Sequence, residues 1–182
     1  MRAETANWRL QTYEQLRPNV EIQTVVTPKP LQHARSDQVI QFRKSRCTHL
    51  YILDSDCIPK DRTIQRLLAH DLPFVAAPHR ANLGGRIVTM VLDRTDVRGR
   101  YKPHKPLVGL QGPDVLIGCA GMLIHRSVFE KLGPPWFRCT YDEWGLLIDT
   151  EDFDLCHRWH AVGGEVWADC DLVQKHVVEK VI

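Results

Sequence analysis

Two carboxylates one residue apart, Asp54 and Asp56, follow directly on the apolar run His49-Leu50-Tyr51-Ile52-Leu53. At the end of a strand, such a pair can turn toward one cleft. Carboxylates are hard oxygen donors suited to Mg2+ or Mn2+. An ion held there can bridge a diphosphate and neutralise charge on a departing nucleoside diphosphate. The same three residues can also be a plain solvated turn, because the pattern is short.

A second concentration of acid lies in Thr150-Glu151-Asp152-Phe153-Asp154-Leu155. Carboxylates in a first helical turn complement the helix dipole. In a functional reading, one of them is a general base that takes a proton from an acceptor hydroxyl. His176 stands just past the last expected strand, in Gln174-Lys175-His176-Val177, where a neutral imidazole can add a metal ligand or simply pack. Gly118-Cys119-Ala120-Gly121 is a run of small residues. It lets a backbone approach a sugar or diphosphate closely, or it turns tightly between two packed strands.

These residues need elements to position them. Residues 4–17 read as a helix, with Trp8, Tyr13 and Leu16 as its apolar contacts. Residues 21–27 are rich in β-branched side chains and read as a strand. Residues 34–46 read as a polar helix with Val39, Ile40 and Phe42 inward. The run 49–53 suits a strand buried on both faces. A helix at about 60–70, with Ile64, Leu67 and Leu68 on one face, leads to the buried strand Phe74-Val75-Ala76-Ala77. Residues 78–114 form a long excursion, with a strand at 88–92 and the basic stretch 98–105. After it, 115–124 reads as strand, small-residue turn and strand. Ser127 then caps a short helix with Glu130 in S-x-x-E, closed by Gly133 and Pro134-Pro135. Thr150 opens a helix with Phe153, Cys156 and Trp159 on one face, and residues 166–173 form a last strand region. Strands alternating with helices argue for an α/β fold with a mostly parallel sheet. Ligands bind such sheets beyond the carboxyl ends of the strands, where Asp54 and Asp56 fall.

The bulk numbers narrow the field. The 182 residues suit a single domain over 1–182 with a substantial core. Lys plus Arg is 24 and Asp plus Glu 22, a net charge of +2. That balance gives no indication of bulk binding to nucleic acid or to an anionic membrane. Six cysteines lie in apolar or strand-like stretches without a C-x-x-C pair, and read as reduced small hydrophobes. The spacing of Cys156, His157, His160 and Cys170 matches no common zinc module. No apolar run reaches the about 20 residues of a membrane span, and no apolar stretch follows Met1-Arg2-Ala3-Glu4 as in a signal peptide. A soluble, cytoplasmic protein is expected.

The order of the motifs carries a family resemblance. Leu50-Tyr51-Ile52-Leu53-Asp54-Ser55-Asp56-Cys57-Ile58-Pro59 resembles the D-x-D strand of GT-A fold glycosyltransferases. The segment from Gly118-Cys119-Ala120-Gly121 to Phe129-Glu130-Lys131-Leu132-Gly133 looks like the family-2 segment with small residues, an apolar strand and F-E-x-L-G. Glu151-Asp152-Phe153-Asp154-Leu155-Cys156-His157-Arg158 is similar to that family's E-D-x-D-L-x-x-R. Ala34-Arg35-Ser36 resembles its A-R-N, and His176 falls where many such enzymes place a late metal-binding His. The likeness runs over residues 21–178.

That resemblance implies a Rossmann-like three-layer sandwich with a mostly parallel central sheet. It implies transfer of a sugar from a nucleoside diphosphate sugar, of UDP or GDP type, to a hydroxyl acceptor with Mn2+ or Mg2+. Asp56 would bind the metal, Asp54 would contact the ribose or support the metal, and His176 would complete the shell. Ser55 and Arg35 would lie on the donor nucleotide. Asp152 would be the acceptor base with Glu151 beside it, and Gly121 would line the sugar pocket. The partners are then a nucleotide sugar and an acceptor, with room for a homo-oligomer. The family also begins with a strand ending in a P-T-Y-N-R-like segment, whereas this chain starts almost at its first helix. Either the chain is truncated there or the protein manages without that strand, and a missing central strand would expose sheet edges and weaken nucleotide binding.

Three other readings share these residues. A nucleotidyltransferase needs a Gly-rich phosphate loop near the N-terminus, and residues 1–30 contain no Gly. A degenerate module would bind nucleotide or glycan without turnover. A metal-dependent hydrolase would activate water with the same carboxylates.

Overall fold

The computed structural model describes residues 3–19, 21, 29–83 and 85–177. Helix α1 (Ala3–Leu16) and helix α2 (Leu31–Lys44) precede strand β1 (His49–Tyr51). Strand β2 (Cys57–Ile58), helix α3 (Thr63–Ala69) and strand β3 (Phe74–Ala76) follow. The excursion holds β4 (Arg80–Leu83), β5 (Arg86–Thr89), β6 (Val91–Asp93), β7 (Lys102–Pro103) and β8 (Leu110–Gln111). Then come β9 (Val115–Ile117), β10 (Met122–His125), α4 (Arg126–Leu132), β11 (Thr140–Tyr141) and β12 (Leu147–Asp149). Helix α5 (Glu151–Ala161), β13 (Trp167–Asp169), a 3-10 turn (Cys170–Leu172) and β14 (Lys175–His176) complete the order.

The largest sheet has five strands in the order β1-β10-β3-β13-β8. This corrects the expected mostly parallel Rossmann-like sheet, because among the described residues β3 and β13 are the only parallel neighbours in it. The pairs β1–β10, β10–β3 and β13–β8 are all antiparallel. The physical reason lies in the crossover through α3. It returns β3 in the same direction as β1 but one slot away, and β10 fills the slot between them running the opposite way. The remaining strands form small antiparallel sheets: β7-β6-β9, β4-β5, β11-β12 and β14-β2.

Phe74, Val75 and Ala76 are wholly buried, as befits an apolar strand at the centre of the sheet. On one side, Val39 and Phe42 of α2 and Phe153, Cys156 and Trp159 of α5 join Ile124, Ile117 and Phe129 in the main core. Ile40 points outward and is 40% exposed, since it sits about 100° around the helix from Val39. On α3, Leu67 is buried but Leu68 is exposed. Strand β1 is half-buried, not covered on both faces, because a cleft runs along it. The cap of α4 is His125, whose Nδ1 accepts the Ser127 N–H at 3.3 Å, and not Ser127 itself. Cys57, Cys119, Cys156 and Cys170 are buried without disulfides. The strand read over 21–27 lies outside the described residues except for Glu21. Among the described residues, no helix is long and apolar enough to cross a membrane.

Candidate functional site

The Asp54-Ser55-Asp56 loop is held on three sides. The strand before it is anchored where the Ile52 N–H donates to the Met122 carbonyl at 2.9 Å. The Cys57 N–H closes the turn on the Asp54 carbonyl at 3.2 Å. From α1, the Thr5 hydroxyl reaches the carbonyls of Ser55 at 3.1 Å and Cys57 at 3.2 Å. The Trp8 indole N–H donates to the Lys60 carbonyl at 3.1 Å. Helix α1 therefore clamps the loop, a role that its polar sequence does not announce.

The short ladder β2–β14 places His176 opposite Cys57. It brings His176 Nε2 to 3.2 Å from Asp56 Oδ2 across 120 residues of chain. The other ring nitrogen, Nδ1, lies 2.8 Å from the Arg80 carbonyl oxygen. A carbonyl only accepts, so Nδ1 carries the proton in that contact. In the neutral ring, Nε2 is then a bare lone pair facing a carboxylate oxygen. Two acceptors at that separation need a proton or a cation between them. Asp56, Cys57 and His176 have ligand atoms within 4.8 Å of one another. Burial, then the Asp54 and Asp56 carboxylates, push the Cys57 thiol up to about 12.

Arg35 joins the two acidic motifs. Its guanidinium is buried, donates to Glu151 Oε1, and lies 3.2 Å from Asp54 Oδ2. Burial opposes its charge, but Cys119 and the Asp54, Glu151 and Asp152 carboxylates outweigh that and raise its pKa. Glu151 is itself buried, and its second oxygen takes the Cys139 thiol at 3.8 Å. Desolvation raises its pKa, Arg35 lowers it and Asp152 raises it. Asp152 is more open. Its Oδ2 accepts the Cys119 N–H at 3.1 Å, and its Oδ1 accepts the Thr150 hydroxyl and the Phe153 N–H. The small-residue turn is thus fastened to the N-terminus of α5.

Gly121 has φ +97°, and a Cβ there would sit 2.0 Å from Gln174 Nε2 and 2.2 Å from the Ala77 carbonyl oxygen. Its open flank is already filled by Gln174, whose amide donates to the Ala77 and Ala120 carbonyls at 2.6 and 3.0 Å. Gly118 is the turn residue that faces His79, with a Cβ position 2.6 Å from that ring. The sequence reading missed His79. Its ring packs edge-on against His176 at 5.6 Å, and its buried Nδ1 has no hydrogen-bond partner. Desolvation, then the charge of His176, lower its pKa, against the pull of Asp54, Ala120 and Asp152. Its place in Pro78-His79-Arg80, directly after a buried strand, was the available signal. Of the aromatics between α4 and α5, Trp136 is buried and donates to the Phe129 carbonyl, while Tyr141 and Trp144 are exposed.

A cleft of about 630 Å3 runs between α1, α2 and β1 and ends at Asp54, Ser55 and Asp56. Gln38 Oε1, Tyr51 Oη and Arg35 Nε are buried polar atoms of residues lining it, and none has a hydrogen-bond partner.

No protein-family model and no curated protein matches the chain. Among solved structures, the chain is similar to the crystal structure of A197 from STIV, with a TM-score of 0.62 and 14% identity. The match covers 98% of this chain and 81% of that one. At that identity, the likeness establishes a shared fold.

Proposed function

We propose that the chain is a metal-dependent glycosyltransferase that moves a sugar from a nucleoside diphosphate donor to an acceptor hydroxyl. The observation that carries the reading is the contact between Asp56 and His176. The Arg80 carbonyl accepts the Nδ1 proton of His176 and turns Nε2 toward the Asp56 carboxylate, a gap that holds a proton or a cation. Backbone carbonyls orient metal-binding imidazoles in this way. One carboxylate and one imidazole form a borderline-hard donor pair that fits Mn2+ or Mg2+ with a phosphate supplying further oxygens. Such an ion neutralises charge on the departing diphosphate. The cleft ending at Asp54 is within the usual size of a ligand site, about 300–1,000 Å3. Asp152 then takes the proton of the acceptor, oriented by Cys119 and Thr150. Motif order adds the family-2-like resemblance.

Calorimetry with Mn2+ and UDP or GDP tests the site. Asp56→Ala should abolish metal-dependent nucleotide binding, and equal binding by the variant would remove the assignment. A second reading, a binding module without turnover, is favoured by Asp152 having both oxygens engaged inside the protein. Donor hydrolysis and transfer assays with Mn2+ separate the two.

A further inference from the structure

The loop that joins β6 to β7 folds back on the junction between β12 and α5, and its backbone is tied only to itself. The Thr95 hydroxyl lies 2.8 Å from the Val97 carbonyl oxygen and 2.6 Å from that of Arg100. The Arg100 N–H donates to the Val97 carbonyl at 3.2 Å, and the Gly99 N–H donates to the Tyr101 hydroxyl at 3.1 Å. Among the described residues, no backbone hydrogen bond of this loop reaches the backbone of β12 or α5. Side chains make the attachment. The Arg98 guanidinium lies 3.2 Å from Asp154 Oδ1 and 3.4 Å from Asp149 Oδ2. Tyr101 packs edge-on against Phe153, with ring centroids 5.1 Å apart, and its hydroxyl is 3.4 Å from His157 Nε2. A Cβ on Gly99 would be 3.3 Å from Ile148.

The two carboxylates under Arg98 are wholly buried but not equivalent. Asp154 also holds Arg138 at 3.0 Å and Arg158 at 2.7 Å, so it stays paired without Arg98. Neither oxygen of Asp149 is in a hydrogen bond. Around Asp149 stand Arg98 and the Gly99 N–H from the loop, and Asp152, Asp154 and His157 from α5, with His157 Nε2 4.0 Å away. Arg98 is the cation of that set, since burial keeps His157 neutral near pH 7. A buried carboxylate without hydrogen bonds is a cost carried by the folded state. Desolvation raises the Asp149 pKa and Arg98 lowers it, and the net shift is upward. Burial therefore outweighs the ion pair. We propose that the β6–β7 loop is a strap latched by Arg98, and that Asp149 beneath it biases the latch toward release. Withdrawing Arg98 leaves the other Asp154 pairs intact and lets water reach Asp149. A neutral side chain of the same shape at position 149 then holds the strap more firmly than the carboxylate does. The latch rests on these contacts alone and stands without the transferase reading.

Limited proteolysis of the full chain with trypsin reads the latch directly. Cleavage after Arg98 requires its guanidinium to leave the two carboxylates and enter the protease. Cleavage after Arg100, exposed in the same loop, is the internal reference. Each ratio of the two rates is divided by that of a free peptide with the matching sequence. Asp149→Asn should lower the ratio about five-fold or more, with circular dichroism confirming the fold. Asp149→Ser gives the same reading if the first variant does not fold. Arg98→Lys keeps a cleavage site but loses the planar fork that spans two carboxylates, and it should raise the ratio by a similar factor. A ratio that is unchanged or higher in the neutral variants at 149 would overturn the proposal, because the carboxylate would then hold the strap down. A ratio that is unchanged or lower in Arg98→Lys would overturn the latch itself. None of these results bears on the Asp56 calorimetry, so the two readings fail separately.

Discussion

Replacing Arg35 by Met keeps most of its apolar stem and removes one cation that two carboxylates share. The Glu151 carboxylate is only 7% exposed and that of Asp54 is 36% exposed. Truncating one member of a buried pair strands the other charge at a cost of about 3–5 kcal/mol. Glu151 supplies nearly all of that, because the Asp54 pair is a third open to solvent and is worth at most about 1 kcal/mol. For a chain of this length, the loss corresponds to a fall in melting temperature of roughly 6–20 °C. Thermal unfolding followed by circular dichroism reads it directly. Adding Glu151→Gln to Arg35→Met removes the stranded charge and should restore most of the loss. The pH dependence has a definite sign. Without Arg35, the Glu151 pKa rises further above its unfolded value, so the deficit of the single variant relative to the wild type is smallest at low pH and grows as pH rises through the folded pKa. Three results would each refute the Arg35–Glu151 tether: a loss under about 1 kcal/mol, no recovery in the double variant, or a deficit that grows on acidification.

Gly121→Ala, at φ +97° with Gln174 and the Ala77 carbonyl in the way, should cost roughly 2–6 kcal/mol by chemical denaturation. Gly163→Ala, at φ +79° with nothing within 4 Å, should cost only about 1 kcal/mol. Equal costs at the two glycines would show that backbone strain, not the Gln174 plug, sets the requirement at Gly121. His157 is buried, and desolvation, then Arg98, lower its pKa from 6.5 to about 4. Its contribution is present above pH 6.5 and is lost as pH falls toward 4, a decline on the order of 3 kcal/mol. His157→Gln should flatten the stability profile across that window, and an unchanged profile would remove His157 as its source.

The elements that the sequence made legible are those whose side chains repeat with a local period. Phe74-Val75-Ala76 is buried throughout, and Phe153, Cys156 and Trp159 share the inner face of α5 as their spacing requires. Strand direction has no such local signature. The alternation of strands and helices leaves open which slot each strand takes, and β10 between β1 and β3 turned an expected parallel sheet into a mixed one. The same limit hid the supports of the site. The Arg80 carbonyl that orients His176 is backbone, so no residue type could mark it. Gln174 behind Gly121 and Thr5 beneath Ser55 act through long-range contacts made by ordinary polar residues.

Arg35 is where the sequence and the structure divide the work differently. As a motif, Arg35 pointed toward the donor, and Glu151 and Asp152 were neighbours with similar claims to the acceptor proton. Burial separates them. Glu151 points at Arg35 and Cys139, and its carboxylate is spent holding that cation beside Asp54. Asp152, one residue on and about 100° around the helix, turns to the small-residue loop and keeps partial access to solvent. A base must reach a hydroxyl outside the protein; of the two carboxylates Asp152 is the less buried, although both its oxygens accept hydrogen bonds within the protein. Arg35 therefore acts as the tether that holds the α5 turn against the Asp54 loop, joining two acidic motifs far apart in the chain.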